Sequence, residues 1–193
     1  MNTDRQSIPD VKKYKAMILD LDGVVTQTSR VHARAWKEIE NKRPGFDPES
    51  CSFPPDQKIA GNKNGVDAYE GAVEHIKMWR EKGLKIAVVS SSRNCAQVLE
   101  AAGITDLFDV RVDGVTAREE KLKGKPQPDL FLDAARKLGV EPEHAVVYED
   151  AVAGVQAGHA GKFGLVIGIA RTGNDDDLKE NGADIVIHNF DEL

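Results

Sequence analysis

The 193-residue chain contains two cysteines, Cys51 and Cys95. That is too few for a disulfide framework, so both read as plain thiols of a reducing compartment. No hydrophobic run is long enough to span a bilayer. The opening segment, Met1-Asn2-Thr3-Asp4-Arg5-Gln6, has no apolar signal core. The expectation is therefore a cytoplasmic protein with no membrane partner. Positive charge is in deficit: 26 Lys and Arg face 32 Asp and Glu, a formal net charge of -6. Bulk charge thus speaks against a nucleic acid or an anionic membrane as partner, although a local basic pocket for phosphate remains open. Internal repeats and low-complexity stretches are also missing. What is left is the composition of an ordinary soluble domain, with room for one good-sized core and a small insert.

The organising stretch is Lys15-Ala16-Met17-Ile18-Leu19-Asp20-Leu21-Asp22-Gly23-Val24-Val25-Thr26. A short apolar run that ends in acids reads as a buried parallel strand. Asp20 and Asp22 then stand just past its carboxyl end, the edge at which open α/β sheets bind ligands. Two acids so close repel each other unless a cation lies between them, and oxygen ligands suit magnesium. Gly23 permits a tight turn directly after the pair. The plainer alternative is a loop acid and a helix-capping acid.

The rest of the chain alternates strand and helix. Thr28-Ser29 can cap a helix carrying Val31, Ala35, Trp36 and Ile39. From Lys42 to Gly65 the pattern breaks, with Pro44, Pro48, Pro54 and Pro55 excluding a long regular element. A helical stripe of Ala72, Ile76 and Trp79 stops at Gly83. The run Leu84–Val89 predicts a second strand, ending in Ser90-Ser91-Ser92, and a helix from about Asn94 to Ala102 follows. Phe108–Val112 predicts a third strand, Asp129 a cap for a helix ending at Gly139, and Ala145–Tyr148 a fourth strand ending in Glu149-Asp150. After a small-residue helix from Ala151 to Ala160, Phe163–Ile169 and Ile185–Ile187 supply later strands. This order predicts a doubly wound parallel sheet with helices on both faces. In such a sheet the strand ends converge, bringing together acids, a hydroxyl, a carboxylate able to act as nucleophile and, from its loop, Lys125.

Four ordered segments now carry a resemblance: Asp20-Leu21-Asp22-Gly23-Val24-Val25, Ser90 after its strand, Lys125-Pro126-Gln127-Pro128-Asp129, and Glu149-Asp150. Together they resemble the haloacid dehalogenase superfamily, a Rossmann-like core, and within it the β-phosphoglucomutase-like phosphatases and mutases. Thr28, His32, Trp36, Ser90-Ser91-Ser92-Arg93-Asn94 and Glu149-Asp150-Ala151-Val152-Ala153-Gly154 carry the closer match. The resemblance implies that Asp20 becomes a phospho-aspartate and that Asp22 acts as general acid and base. It implies Mg2+ held by Asp20, Asp22 through its backbone carbonyl, and Asp150, with Glu149 beside it. Ser90 and Lys125 would bind phosphoryl oxygens. Ser91 and Asn94 would add hydrogen bonds, and Gly23 and His32 complete the candidate substrate contacts. Each has a plainer alternative: Ser90 as a helix cap, Lys125 as a solvated loop lysine, Glu149 as support for the next helix, His32 as a helix-face residue.

Relatives carry a helical cap between the first two motifs. Here that interval is short, and Arg43 is the lone arginine of its proline-rich part. The expected organisation is a core of residues 12–30 and 68–193 with a shortened cap or lid insert at 31–67. An open site favours hydrolysis of a small phosphorylated sugar or metabolite over mutase chemistry, because water competes for the phospho-aspartate. A homo-oligomer covering the site is the other solution. Two non-enzymatic alternatives are a receiver-like phospho-acceptor and a non-catalytic binding protein.

Overall fold

The computed structural model describes residues 13–27 and 66–193. The expected helix after Thr28, together with His32, Trp36, Arg43 and Cys51, lies outside the described residues. Six strands form one sheet: β1 (Ala16–Asp20), β2 (Lys85–Val89), β3 (Val110–Val112), β4 (Ala145–Glu149), β5 (Leu165–Ile169) and β6 (Ile185–Ile187). They are ordered β3-β2-β1-β4-β5-β6, and every pairing is parallel. The predicted doubly wound α/β architecture is the one observed. The predicted strands at Phe108 and Phe163 each begin two residues later.

Alternation along β1 divides the core. Met17 and Leu19 face one layer, with Ile86, Val88 and Tyr148 from the neighbouring strands. Helix α1 (Glu70–Glu81) and helix α2 (Cys95–Ala101) cover it through Ile76, Trp79, Val98 and Leu99. Trp79 packs on Tyr148 with ring centroids 5.2 Å apart and on Phe190 at 6.2 Å. Ala16 and Ile18 face the other layer, with Ala87, Val89 and Val147. There α3 (Gly114–Glu119), α4 (Asp129–Leu138), α5 (Val152–Ala160) and α6 (Asp175–Glu180) are stacked, with Leu130, Phe131, Ala134, Val155 and Leu178 in contact. Because both faces are covered, the inner strands are apolar along their length, and polarity returns only at their ends.

Two details differ from the sequence reading. Helix α3 stands where no helix was expected; the Asp113 carboxylate caps it by accepting from the Val115 and Thr116 amides. Pro128, not Asp129, is the N-cap of α4. Asp129 lies in the first turn, where its carboxylate accepts from the Lys123 amide at 3.2 Å. Among the described residues no helix is long and apolar enough to cross a membrane.

Register positions the site. Asp20 is level with Val89 of β2, and Leu19 with Tyr148 of β4. Ser90 and Glu149 therefore emerge beside Asp20 at one edge. The loop after β1 closes on itself: Val25 and Thr26 amides donate to the Leu21 carbonyl, and Gly23 N–H donates to Thr26. Beyond it the chain leaves and re-enters as a narrow antiparallel neck. Gln27 N–H donates to Asp67 O at 2.8 Å and Tyr69 N–H to Val25 O at 2.9 Å.

Candidate active site

Asp20, the last residue of β1, is buried, as is Glu149, the last of β4. Asp150 follows and is half-buried. One carboxylate oxygen from each of the three lies within 4.8 Å of the others. Lys125 reaches in from the loop before α4. Its Nζ donates to Asp20 Oδ1, and to Glu149 Oε2 at 2.7 Å. The lysine side chain is 9 % exposed and also lies over the Phe131 ring, 4.9 Å from its centroid. It is not a solvated loop lysine.

Two glycines make room for these acids. Gly23 has φ +84°, and a Cβ there would fall 1.8 Å from Asp150 Oδ2. Left-handed backbone and the close approach of a carboxylate both call for glycine at this point. At Gly154 the first turn of α5 passes the Glu149 side chain, and a Cβ would sit 1.9 Å from its Cδ.

Three acids around one lysine leave an excess of negative charge in a buried place. Burial holds the Asp20, Glu149 and Asp150 carboxyls above the ordinary carboxylate range, Asp150 at about 7, and repulsion from neighbouring acids, Asp22 among them, adds to the shift while Lys125 opposes it. Burial works against the Lys125 charge as well, but Asp20 and Glu149 outweigh it and keep the ammonium protonated. The asymmetry follows from numbers: the lysine has two acids, whereas the acids share one lysine. Such a cluster fits a hard divalent cation, since oxygen donors of this kind would be relieved of their repulsion by it. The trio is made of side-chain carboxylates; Asp22, expected to contribute its backbone carbonyl, is not one of its three carboxylates.

Ser90 is buried at the end of β2. Its hydroxyl accepts from the Ser92 amide at 3.1 Å, an ST turn, while Asn94 holds the N-cap position of α2 without a side-chain bond to that helix. Ser90 is therefore not the cap of α2. Ser91 is exposed and Asn94 half-buried on the same loop. Cys95 is buried and unpaired; burial first, then the Asp113 charge, pushes its thiol up to about 12, so it stays protonated at neutral pH.

Sequence reasoning passed over two neighbours of the acids. Arg171, one residue beyond the buried run of β5, donates from Nε to the Gly23 carbonyl at 2.8 Å. Asn174 donates from Nδ2 to the Asp150 carbonyl at 3.2 Å. The signal that exposed Asp20, the first polar residue after a buried strand, marks Arg171 as well.

The signature of haloacid dehalogenase-like hydrolases matches residues 46–162. A β-phosphoglucomutase of Mycobacterium bovis is 35% identical over 259 aligned positions, covering 100% of this chain and 99% of the relative. The alignment is longer than the chain, so that relative has residues with no counterpart here. A fructose-1-phosphate phosphatase of Escherichia coli is 25% identical over 77% of this chain and 93% of its own. Among solved structures, a hydrolase of Deinococcus radiodurans with bound phosphate and sodium superposes with a TM-score of 0.76 at 28% identity, covering 95% and 94% of the two chains.

Proposed function

Because the chain belongs to the haloacid dehalogenase-like hydrolase family, we propose that its buried acid cluster performs magnesium-dependent phosphoryl transfer through a phospho-aspartate at Asp20, on a small phosphorylated sugar or related metabolite. The observation that carries this reading is the convergence of Asp20, Glu149 and Asp150 about Lys125 at the carboxyl edge of the sheet. Residues drawn from three separate parts of the sequence meet there.

In this mechanism Asp20 attacks the phosphorus in line, its carboxylate oxygen forming the new P–O bond as the alkoxide leaves. Asp22 protonates the leaving oxygen, then takes the proton of the water that attacks the phospho-aspartate, so Asp20 is regenerated and phosphate released. Lys125, which already neutralises Asp20 and Glu149, supports the phosphoryl oxygens, and Ser90, Ser91 and Asn94 offer hydrogen bonds at the same edge. Mg2+ would be held by Asp20, the Asp22 carbonyl and Asp150 with Glu149 beside it, and would neutralise developing charge on the phosphoryl group. Gly23 sets the turn that brings the Asp22 loop against Asp150. His32 remains a candidate substrate contact outside the described residues.

We assign residues 12–30 and 68–193 to the core and 31–67 to a shortened insert. The neck at Thr26 and Ala68 and the longer mycobacterial relative support that division. A shortened cover over the site favours water as the second acceptor, hence phosphatase over mutase. Mutase activity is the second reading, favoured by the full-length match to a β-phosphoglucomutase. The test measures phosphate release from a panel of sugar phosphates with Mg2+, alongside conversion of β-glucose 1-phosphate to glucose 6-phosphate. Release across the panel supports the phosphatase. Isomerisation without release turns the assignment to the mutase, and neither activity rejects both.

A further inference from the structure

Arg171 occupies a position that the phosphoryl-transfer scheme does not use. It is the second residue of the short link after β5, and its guanidinium is engaged on three sides. Nε donates to Gly23 O at 2.8 Å, and Nη1 donates to His188 O at 3.0 Å. Cζ lies 3.8 Å from the centroid of the Tyr69 ring. The backbone at His188 is itself anchored: its imidazole pairs with Asp175 at 2.8 Å, and its amide donates to Glu192 at 3.0 Å.

What Arg171 grips is more telling than how many bonds it makes. Gly23 follows Asp22 directly and is the residue against which the Asp150 carboxylate packs, with no room for even a methyl group. Tyr69 is the residue where the chain returns from the neck to the core, its amide bonded to Val25 O. One side chain thus ties together the loop bearing Asp22, a wall of the acid cluster and the root of residues 28–65. A planar guanidinium can donate in its plane and stack on an aromatic face at the same time, which an ammonium cannot do.

We infer that Arg171 is a positioning residue: a latch that holds the Gly23 carbonyl, and through it Asp22 and Asp150, in register with the neck at Tyr69. The inference rests on the proposed reaction for its kinetic consequence, but its first consequence is for cation binding. Releasing Gly23 frees the Asp150 carboxylate to shift and loosens the acid trio. Movement of the neck reaches the acid cluster through the same guanidinium.

The test is calorimetric titration of the purified protein with Mn2+ as probe, together with kcat and KM for hydrolysis of a phosphate ester, for the parent and for Arg171→Gln, Arg171→Lys, Tyr69→Leu and Tyr69→Phe. Arg171→Gln is expected to weaken Mn2+ binding and to lower kcat by about ten- to hundredfold, the range typical of residues that orient metal ligands, with a smaller change in KM. Arg171→Lys recovers only part of this. Tyr69→Leu shifts both quantities the same way by less, and Tyr69→Phe, which keeps the ring, behaves as the parent. A melting point that falls while Mn2+ affinity and kcat match the parent overturns the latch and leaves Arg171 a merely structural residue. If Arg171→Gln does not fold, Arg171→Lys and Tyr69→Leu are read by the same titration, and parent-like affinity in both overturns it equally. Parent behaviour reports separately on the function: a parent that binds Mn2+ but hydrolyses nothing rejects the proposed reaction, while the ratio of variant to parent affinity still decides the latch.

Discussion

Two clusters of acids and cations in this molecule invite comparison. At the sheet edge, Asp20, Glu149 and Asp150 surround Lys125. Beside α4, the buried Asp133 and the surface residue Glu120 face Arg136 and Lys137, with Arg136 to Asp133, Lys137 to Asp133 at 2.7 Å, Lys137 to Glu120 at 2.7 Å and Arg136 to Glu120 at 3.3 Å. The residue types are alike, but their titration is opposite. Burial works against the Asp133 charge, yet hydrogen bonds from Lys137 and Arg136 hold its carboxyl below the ordinary range. The acids at the sheet edge are held above it. The cluster beside α4 is balanced, two against two, and solvent reaches its cations. The edge cluster is unbalanced, with Asp20 and Glu149 buried and the Lys125 side chain 9 % exposed. A balanced network is complete in itself, whereas an unbalanced one calls for a further cation, and that difference supports the proposal that the edge is the site.

The comparison breaks most severely at Asp20. Asp20→Asn should abolish the phospho-enzyme and lower turnover by about four orders of magnitude or more, as removal of a nucleophile does. A stopped-flow burst and mass spectrometry of the quenched enzyme read this directly, and retained turnover removes the assignment. Lys125→Met sharpens the comparison further by leaving three acids with no lysine. Turnover should fall by about 10² to 10³, the scale of a lost oxyanion partner, while calorimetric affinity for Mg2+ does not weaken, because a competing positive charge has gone. Loss of activity with weaker cation binding would mean that the lysine builds the cation site instead of competing with it. Gly154→Ala should lower turnover by roughly tenfold by displacing Glu149, with no loss of helix stability, since alanine favours a helix by about 1 kcal/mol over glycine. Unchanged kinetics in this variant would make Glu149 dispensable.

The contrast between the clusters also explains what could be read from the sequence. Parallel strands buried on both faces spell out as apolar runs, so the polar residues that end them stand out. Asp20, Ser90 and Glu149 were found that way, and β4, ending at Glu149, lies one residue from the expected boundary. The six-residue helix Gly114–Glu119 left no apolar period to detect; it depends on the Asp113 cap, a bond between a side chain and the backbone of its own next turn. Arg171 was legible by the rule that found Asp20, but its partners are backbone carbonyls and a ring face, and no spacing in the sequence announces those. Nor does the sequence say that Gly154 is a glycine because a carboxylate lies beside it. That requirement exists only after folding brings β4 and α5 together.

Protons and a divalent cation compete for the same carboxylates, which fixes the sign of the pH dependence. A carboxyl whose folded-state pKa is raised contributes stability that is present below the unfolded value and is lost as pH rises through the folded one. Asp150, held at about 7, and Glu149 act in this sense. Their contribution to the metal-free protein is therefore complete only in acid and is lost through neutral pH. Mg2+ binds the deprotonated cluster and offsets that loss. The rise in Tm on adding Mg2+ should accordingly be larger near pH 8 than near pH 6. Differential scanning calorimetry at the two pH values checks it, and an equal or reversed difference contradicts the acid cluster as the cation site.

The smallest expected effect on turnover comes from the second cluster, which serves as the control for all the others. In Asp133→Asn the charge is lost, the shape remains, and one of the two oxygens that accept from Arg136 and Lys137 becomes a donor. The cations keep Glu120 and the solvent, but Asp133 itself is buried, so the cost should be that of a buried charged hydrogen bond, about 1–3 kcal/mol, with Tm falling by about 2–4 °C per kcal/mol in a chain of this size. The sign of its own pH dependence is opposite to that at the edge. A depressed carboxyl contributes stability above its unfolded pKa and loses it as pH falls through the folded one, so the variant and the parent should converge in acid. Turnover and Mg2+ affinity should match the parent, because Asp133 pairs with Arg136 and Lys137 of its own helix and Lys125 enters the site from the loop before that helix. A drop in turnover at Asp133→Asn would show that the two clusters are coupled through α4, and the division between a self-contained network and one that calls for a cation would have to be redrawn.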